Sequence, residues 1–552
     1  MFSNNKILAV IPAIGDDGKI PRKYTRLLGD KPLIAHILDT LKTSEYVDDI
    51  VVLTDDNDIS RISELCGVTP FKNFTKESNF ETRIFETMLQ REKAAFDEYD
   101  IIMVVKPNAP FITVDSINRI IEKFDNPNLD TVISVKEDRH LRWGLDEENN
   151  RFFPLNSHMV NGNGLMPEFV ETRAIVATRR QFISKESIFG NGINLNLLQG
   201  KENILINDIE DLWIAEKHVN KKKIAIVVNG FDEIGLGHVR RCLAIAHNLI
   251  SHDVTFISKS NHPLGIEAIL SNNYPCLTYD DSDEIFDVIE KLNPDLIIND
   301  ILDTSFEYIS KLIDNDYFVI NFEDVGPGIE IANLVFNPLS DYGIDLPNVF
   351  TGYKYYILED EFYFQKPKVV TEDVNNVFMM FLGNDPNNLT EKTLQALISS
   401  GFTGNIDVLL GVGHPNKEEI LNKYDIYSNV VIYQSVRSIS EFIAKADIIF
   451  TSADRTVFDI CSIGVPCICI CQDERELANT FANNDNGFIN LGLAEDITSE
   501  DIINQFNSLV SNFDLRLSLS KKMLSINLKD GFTNVWQIVR KFYSDFKYND
   551  SL

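Results

Sequence analysis

Residues 227–249 read "VVNGFDEIGLGHVRRCLAIAHNL". An apolar run closes at Val228, glycines follow at 230, 235 and 237, and then Val239, Cys242, Leu243 and Ala246 recur at three- and four-residue spacing. That spacing predicts a helix with one apolar face. Strand, glycine turn and helix in this order predict a parallel α/β unit, whose ligands bind where loops leave the carboxyl ends of strands. His238 falls in the first turn of the predicted helix, beside unpaired backbone N–H groups and the positive end of the dipole. That field disfavours imidazolium and suits a neutral ring acting as base or hydrogen-bond donor. The plainer reading is a histidine that only closes the turn.

The same alternation runs along the chain. "KILAVIP", "IVVLT", "IIMVVK" and "TVISV" read as buried strands, separated by "PLIAHILDTLKTS" and "VDSINRIIEKF" with helical periodicity. A second series begins at "KKKIAIVVN" and a third at "NNVFMMFLGND". Each restart follows a charged or proline-containing stretch, "EKHVNKKK" and then "QKPKVVTEDVNN". These shifts predict three parts, residues 1–221, 222–365 and 366–552, each with a parallel sheet covered on both faces. The amphipathic tail "DGFTNVWQIVRKFYSDF" is expected to cross back and brace the preceding lobe.

A chain of 552 residues exceeds one ordinary core. Its net charge of −32 excludes a general binder of nucleic-acid backbones, which needs clustered Lys and Arg. It does not exclude nucleotide substrates, because a glycine loop or helix start binds phosphate locally. The opening "MFSNNKILAVIPAIG" lacks a signal-peptide pattern, and no apolar run is long enough to span a membrane. Seven thinly spread cysteines fit a reducing cytoplasm better than a disulfide framework. Cys467, Cys469 and Cys471 alternate onto one strand face, where cysteine serves as a small apolar residue.

The first strand exits into "PAIGDDGKIPRKYTRLLGDKPLIAHIL". This stretch resembles the cytidylyltransferases that activate sialic-acid-like nonulosonates, whose loop reads P-A-R-G-G-S-K-G-I-P-R-K-N. Pro12, Ala13, Gly15, Ile20, Pro21, Arg22 and Lys23 match in place, and "IVVLTDDNDISRISE" is similar to a further strand and acidic turn of that family. The resemblance implies a nucleotidyltransferase domain of GT-A-like, Rossmann-like fold. Ala13, Gly15, Lys19, Arg22 and Lys23 would lie around CTP, with Lys23 neutralising phosphate charge as CMP is transferred and pyrophosphate leaves. The family's loop arginine is Ile14 here, its next glycine and serine are Asp16 and Asp17, and only Pro107 and Pro110 remain of its Gln-Pro-Thr-Ser-Pro-Leu-Arg segment. Where the family carries Asp-x-Asp for magnesium, this chain reads Leu205, Ile206 and Asn207, so Mg2+ would fall to Asp208 and Asp211. The related synthetases often pair as homodimers, and the resemblance extends that expectation to this chain.

The central stretch "GLGHVRRCLAIA" resembles the G-x-G-H-x-x-R-C-L-x-L-A motif of the UDP-sugar hydrolase of pseudaminic acid synthesis and its spore-coat relatives. "FLGNDPNNLTEKTLQAL" and "ISEFIAKADIIFTSADRTVFDICSIGVP" are similar to two later motifs of those proteins. The resemblance implies a two-lobed GT-B-type double Rossmann module after the first domain, with a nucleotide diphosphate-sugar held between the lobes and no cofactor. His238 would be the catalytic histidine. Gly235, Gly237, Asn384, Asp385, Arg455, Thr456 and Asp459 would hold UDP, with Thr456 at the diphosphate and Asp459 at the ribose. Ala453 and Asp454 replace two phosphate-loop glycines; the resemblance then requires that Arg455 offset the added carboxylate or that Asp454 point away, with Arg455 or Arg475 serving the phosphate.

The joined resemblances imply a bifunctional enzyme of surface-carbohydrate precursor synthesis: a UDP-amino-deoxy-sugar hydrolase behind a divergent CMP-sugar synthetase. Two alternatives stand beside it, a UDP-sugar-dependent glycosyltransferase and a nucleotide-sugar-binding protein whose first domain has lost its chemistry.

Overall fold

The computed structural model describes residues 5–15, 19–71, 96–146, 148–155, 167–184, 187–230, 236–339, 343–381, 385–411, 413–434, 436 and 438–549. The chain divides into two compact units, Met1–Lys221 and Lys222–Leu552.

The first unit is built on a seven-stranded sheet. Its spatial order is Ile193–Leu197, Thr131–Asp138, Glu168–Arg179, Ile101–Val105, Ile7–Pro12, Asp49–Leu53 and Thr69–Phe71. The central strand Ile7–Pro12 is buried along its whole length and pairs in parallel with both neighbours. The uniformly parallel sheet expected from sequence is corrected at one strand: Glu168–Arg179 runs antiparallel to both Ile101–Val105 and Thr131–Asp138. A segment long enough to return along the sheet needs no covering crossover helix, so helix-and-strand alternation does not reveal it. Helices Leu33–Thr43 and Val114–Glu122 bury Ile34, Ile37, Leu38, Leu41, Ile117, Ile120 and Ile121 against one core with the inner strands.

The second unit holds two parallel sheets. The first orders Cys276–Tyr279, Asp253–Lys259, Lys223–Val228, Leu296–Asp300, Phe318–Phe322, Leu334–Asn337 and Val349–Thr351. The second orders Val430–Tyr433, Asn405–Leu409, Asn376–Met380, Ile448–Thr451, Cys467–Cys471 and Phe488–Leu493. Every pairing in both is parallel, and the inner strands are buried along almost their whole length. The last helix, Gly531–Asn549, places Val535, Trp536 and Val539 in the core beneath the first of these sheets. This helix therefore packs on the earlier lobe. Cys467, Cys469 and Cys471 are fully buried, with Cys467 and Cys469 sulfurs 3.7 Å apart in the core of the later lobe.

Candidate active site

In the second unit, helix Gly237–Asn248 is the next helix after strand Lys223–Val228, and Val239, Cys242, Leu243 and Ala246 are all buried. The packing of that face fixes the start of the helix, and His238 with it. The next strand in the sheet, Leu296–Asp300, ends in Asp300, which is wholly buried. His238 Nδ1 lies in hydrogen-bond contact with Asp300 Oδ1. The same carboxylate receives a two-pronged grip from Arg241, whose Nε donates to Oδ2 at 2.7 Å and Nη2 to Oδ1 at 2.6 Å. One strand further, Glu323 follows Phe318–Phe322, with Oε1 3.2 Å from Arg241 Nη1. One helix and two neighbouring strand ends thus assemble a buried chain, His238–Asp300–Arg241–Glu323.

The charges settle the proton positions. Burial alone would raise the Asp300 carboxyl, but Arg241 and His238 outweigh it and hold it far below the usual carboxylate range. An ionised carboxylate only accepts, so the proton between the pair sits on Nδ1 and His238 Nε2 keeps its lone pair. Burial first, with Arg241 and Arg455 adding to it, lowers the His238 pKa against the opposing pull of Asp300. The result is a neutral, oriented imidazole.

His238 lines a cleft of about 450 Å³. One wall comes from the earlier sheet through Gly237, His238, Leu302, Glu323 and Leu339, the other from the later sheet through Gly411, Gly413, Ala453–Thr456 and Asp459. All leave the carboxyl ends of parallel strands, as open α/β sheets dictate. Arg455 precedes helix Thr456–Ile463, and its Nη1 donates to the Gly237 carbonyl across the cleft. A Cβ on Gly237 would come within 3.1 Å of that guanidinium, so glycine there leaves the arginine its seat.

Six carboxylates face this cleft: Glu323, Glu359, Asp454, Asp459, Asp473 and Glu476, against Arg240, Arg455 and Arg475. Burial is the first cause pushing Glu323, Glu359 and Asp459 upward, and it takes Glu476 to about 8. Movement toward the neutral form weakens their repulsion of an anion and leaves the arginines to set the local sign. Asp459 also accepts from the Tyr356 hydroxyl at 3.0 Å.

Not every residue singled out in the sequence reaches the cleft. His238, Gly237, Arg455, Thr456 and Asp459 line it together. Asp385 is buried instead beside the start of helix Leu389–Ser399, accepting from Leu389 and Thr390 N at 2.9 and 2.8 Å and from Gln472 Nε2 at 2.7 Å. Gly235 and Asn384 lie outside the described residues. Arg241 is the arginine of the G-x-G-H-x-x-R-C motif, whereas Asp300, Glu323 and the glycine pair 411 and 413 belong to no motif singled out in the sequence. Their signals were an acidic residue closing an apolar strand in "DLIIND", another in "VINFED", and glycines just after a strand in "IDVLLGVGH".

In the first unit, Ala13 is buried and its N donates to Leu53 O at 2.9 Å, while Gly15 N donates to Asp55 Oδ1 at 2.9 Å. A Cβ on Gly15 would lie 2.8 Å from Asp56 Cβ. Arg22 adopts a left-handed φ of 54° and pairs with Asp58 at 2.8 Å. Lys23 opens the next helical turn and is 5% exposed, whereas Lys19 is exposed. Asp16 and Asp17 lie outside the described residues. The metal expectation meets a different use of its residues. Asp208 caps helix Ile209–Val219 through Glu210 and Asp211 N at 3.1 and 3.0 Å, and Asp211 accepts from Asn207 N at 2.8 Å. Among the described residues, no group of three or more His, Cys, Asp or Glu side chains is placed to hold a metal ion. The bonds of Asp208 and Asp211 use one oxygen of each carboxylate, which leaves the pair compatible with a Mg2+ shared with substrate phosphates. Among the described residues no helix is long and apolar enough to cross a membrane.

Comparison with known proteins follows this division. Residues 8–149 match the cytidylyltransferase family model. An uncharacterized protein of Methanocaldococcus jannaschii is 30% identical over 274 residues, covering 46% of this chain and 56% of its own length. The spore coat polysaccharide biosynthesis protein SpsG of Bacillus subtilis is 24% identical over 339 residues, 58% of this chain and 98% of its own. The N-acylneuraminate cytidylyltransferase of Escherichia coli O18:K1:H7 is 24% identical over 290 residues, 49% of this chain and 68% of its own. The chain therefore spans little more than half of the M. jannaschii relative. It joins an N-terminal part that matches the cytidylyltransferase model to a pair of parallel-sheet lobes that meet at the His238 cleft.

Proposed function

We propose that the second unit is a UDP-sugar hydrolase acting on an amino-deoxy sugar, and that the first unit is a divergent synthetase transferring CMP to a nonulosonate. The observation that carries the first half is the neutral His238, held through Nδ1 by Asp300 at the wall of a two-lobed cleft. In this reading UDP rests on the later lobe, its diphosphate at Arg455 and the first amides of helix Thr456–Ile463. His238 Nε2 takes a proton from water, and the water oxygen bonds to the anomeric carbon. The bond from that carbon to the phosphate oxygen breaks, and its electron pair leaves on UDP. Arg455 and the helix start meet the charge that develops there.

For the first unit, Ala13, Gly15, Lys19, Arg22 and Lys23 surround the CTP phosphates in this reading, and the buried Lys23 offsets charge on the leaving pyrophosphate. No step is routed through magnesium. Trp143, Leu145, Phe152 and Phe153 stand exposed on the hairpin formed by Trp143–Asp146 and Arg151–Pro154, which supports pairing with a second copy.

The deciding experiment incubates the protein with a panel of UDP-amino-sugars and follows free sugar and free UDP by mass spectrometry. Free sugar is the expected product. Sugar appearing only on an added acceptor makes the unit a glycosyltransferase, and UDP binding without turnover makes it a binding protein. CTP with a panel of nonulosonates, assayed for pyrophosphate, tests the first unit in the same way.

A further inference from the structure

Two neighbouring strands of the later sheet, Ile448–Thr451 and Cys467–Cys471, end at the cleft wall. The first passes through Ala453–Arg455 into helix Thr456–Ile463, and backbone N–H groups at such a strand exit are where an anion is held. A carboxylate of the same chain already sits on them. Glu476, itself part of the cleft wall, accepts from Gln472 N at 2.7 Å and from Ala453 N. Three residues on, Asn479 Nδ2 donates to Ala453 O at 2.8 Å. One loop therefore holds both backbone groups of Ala453.

That loop is a strap with fixed ends. At one end Gln472 accepts at its carbonyl from Asn387 Nδ2 at 2.7 Å and donates from Nε2 to Asp385 at 2.7 Å. At the other, the buried Phe481 stacks on Phe458 with ring centroids 4.2 Å apart. Between them the short helix Glu474–Leu477 buries no residue, and Asp473, Glu474, Arg475 and Leu477 are exposed. Few buried contacts hold the middle, so it is the part that opens at least cost. The groups facing the Glu476 carboxyl are Asp454 from the strand exit, Asp473 and Arg475 from the strap, and Cys469 and Cys471 from the strand. Burial first, then Asp454, pushes Glu476 up to about 8. Below that pH the neutral acid holds the N–H groups through its carbonyl oxygen. Above it the ionised group holds them more tightly, as charged acceptors do.

We propose that Glu476 is a built-in competitor for the diphosphate: its carboxyl occupies backbone N–H groups at the cleft wall, and a nucleotide diphosphate binds by displacing it as the strap lifts. This rests on the reading that the cleft takes a UDP-sugar, and adds a control on how tightly the nucleotide is held. The apparent affinity is the intrinsic one reduced by the fraction of molecules whose strap is open. Ionisation of Glu476 lowers that fraction, so the strap closes as pH rises.

The test titrates UDP and uridine calorimetrically into the wild type, Glu476→Ala and Glu476→Gln at pH 7 and pH 8.5, with thermal unfolding of each protein alongside. Uridine lacks the diphosphate and has nothing to displace. Wild-type affinity for UDP is expected to fall by about fourfold between the two pH values, following the share of Glu476 still neutral. Glu476→Gln keeps the acceptor without the charge, so it should match the wild type at pH 7 and show no such fall. Glu476→Ala empties the N–H groups and should bind UDP about tenfold tighter than the wild type at pH 7. Uridine affinity should be the same in all three. UDP binding no tighter in a folded Glu476→Ala, or a fall with pH that persists in Glu476→Gln, would overturn the inference while leaving the UDP reading intact. Equal shifts for uridine assign the strap to the base or the fold and overturn it as well. Where Glu476→Ala melts below the wild type, the isosteric Glu476→Gln decides alone. No UDP binding by any of the three removes the underlying reading, and this one with it.

Discussion

Asp300 accepts from His238 Nδ1 while both of its oxygens are gripped by Arg241, so one buried carboxylate sets the tautomer of the histidine and neutralises the arginine beside it. Replacing Asp300 with Asn removes the charge and leaves the buried Arg241 with only Glu323 opposite it. Breaking a buried pair in this way costs about 3–5 kcal/mol. The expected outcome is a lower urea midpoint and a fall in UDP release of about 10²–10⁴-fold, measured where the variant is still folded. Wild-type turnover in a folded Asp300→Asn protein would show that Asp300 does not orient the base.

The activity of the second unit should depend on pH in two limbs. The His238 pKa is depressed below 6.5, chiefly by burial, so the working neutral form is complete above 6.5 and is lost as pH falls through the folded value. Stability contributed by the neutral ring follows the same sign, present above 6.5 and lost toward acid. Glu476, raised to about 8 by burial first and then by Asp454, acts in the opposite direction. Its stabilising neutral form holds below the ordinary carboxylate range and is lost as pH rises through about 8, where a new negative charge also opposes the diphosphate. A kcat/KM profile that rises below pH 6.5 and declines above pH 8 is expected. The alkaline limb should vanish in Glu476→Gln.

Much of this site was readable as a pattern and some of it was not. His238 was legible because strand, glycine turn and helix are consecutive in sequence, and the local field on its ring follows from that order. Asp300 and Glu323 were not, because each belongs to a different strand and their meeting depends on the order Lys223–Val228, Leu296–Asp300, Phe318–Phe322 across the sheet. Periodicity reveals strands but not their neighbours. Asp385 sits in a family-like motif, yet its oxygens are spent on the start of the following helix, a local use that the motif cannot distinguish from phosphate contact. The antiparallel strand Glu168–Arg179 escaped because an interior strand is apolar whichever way it runs.

Arg455 joins the two walls of the cleft through the Gly237 carbonyl. Arg455→Ala removes both that contact and a cation at the start of helix Thr456–Ile463. KM for the UDP donor is expected to rise by about 10–100-fold, from the loss of a charge-assisted contact, with a smaller change in kcat. An unchanged KM would move the diphosphate seat to Arg475 or elsewhere.

In the first unit, Gly15→Ala places a Cβ 2.7 Å from Asp56 Oδ2, and Asp56 is not free to withdraw because its Oδ1 caps the helix at Asp58 and Ile59 N. The overlap is expected to cost about 1–3 kcal/mol and to weaken CTP binding. Thermal unfolding with and without CTP reads both effects. A variant with wild-type melting and an undiminished CTP shift would place the nucleotide away from this loop.

The central claim is that the His238 imidazole does the chemistry of the second unit, and His238→Gln with a UDP-amino-sugar donor addresses it most directly. UDP release should fall by about 10²–10⁴-fold while thermal unfolding and UDP binding stay at wild-type values. Release near the wild-type rate in that variant would contradict the account and return His238 to the role of a residue that closes a turn.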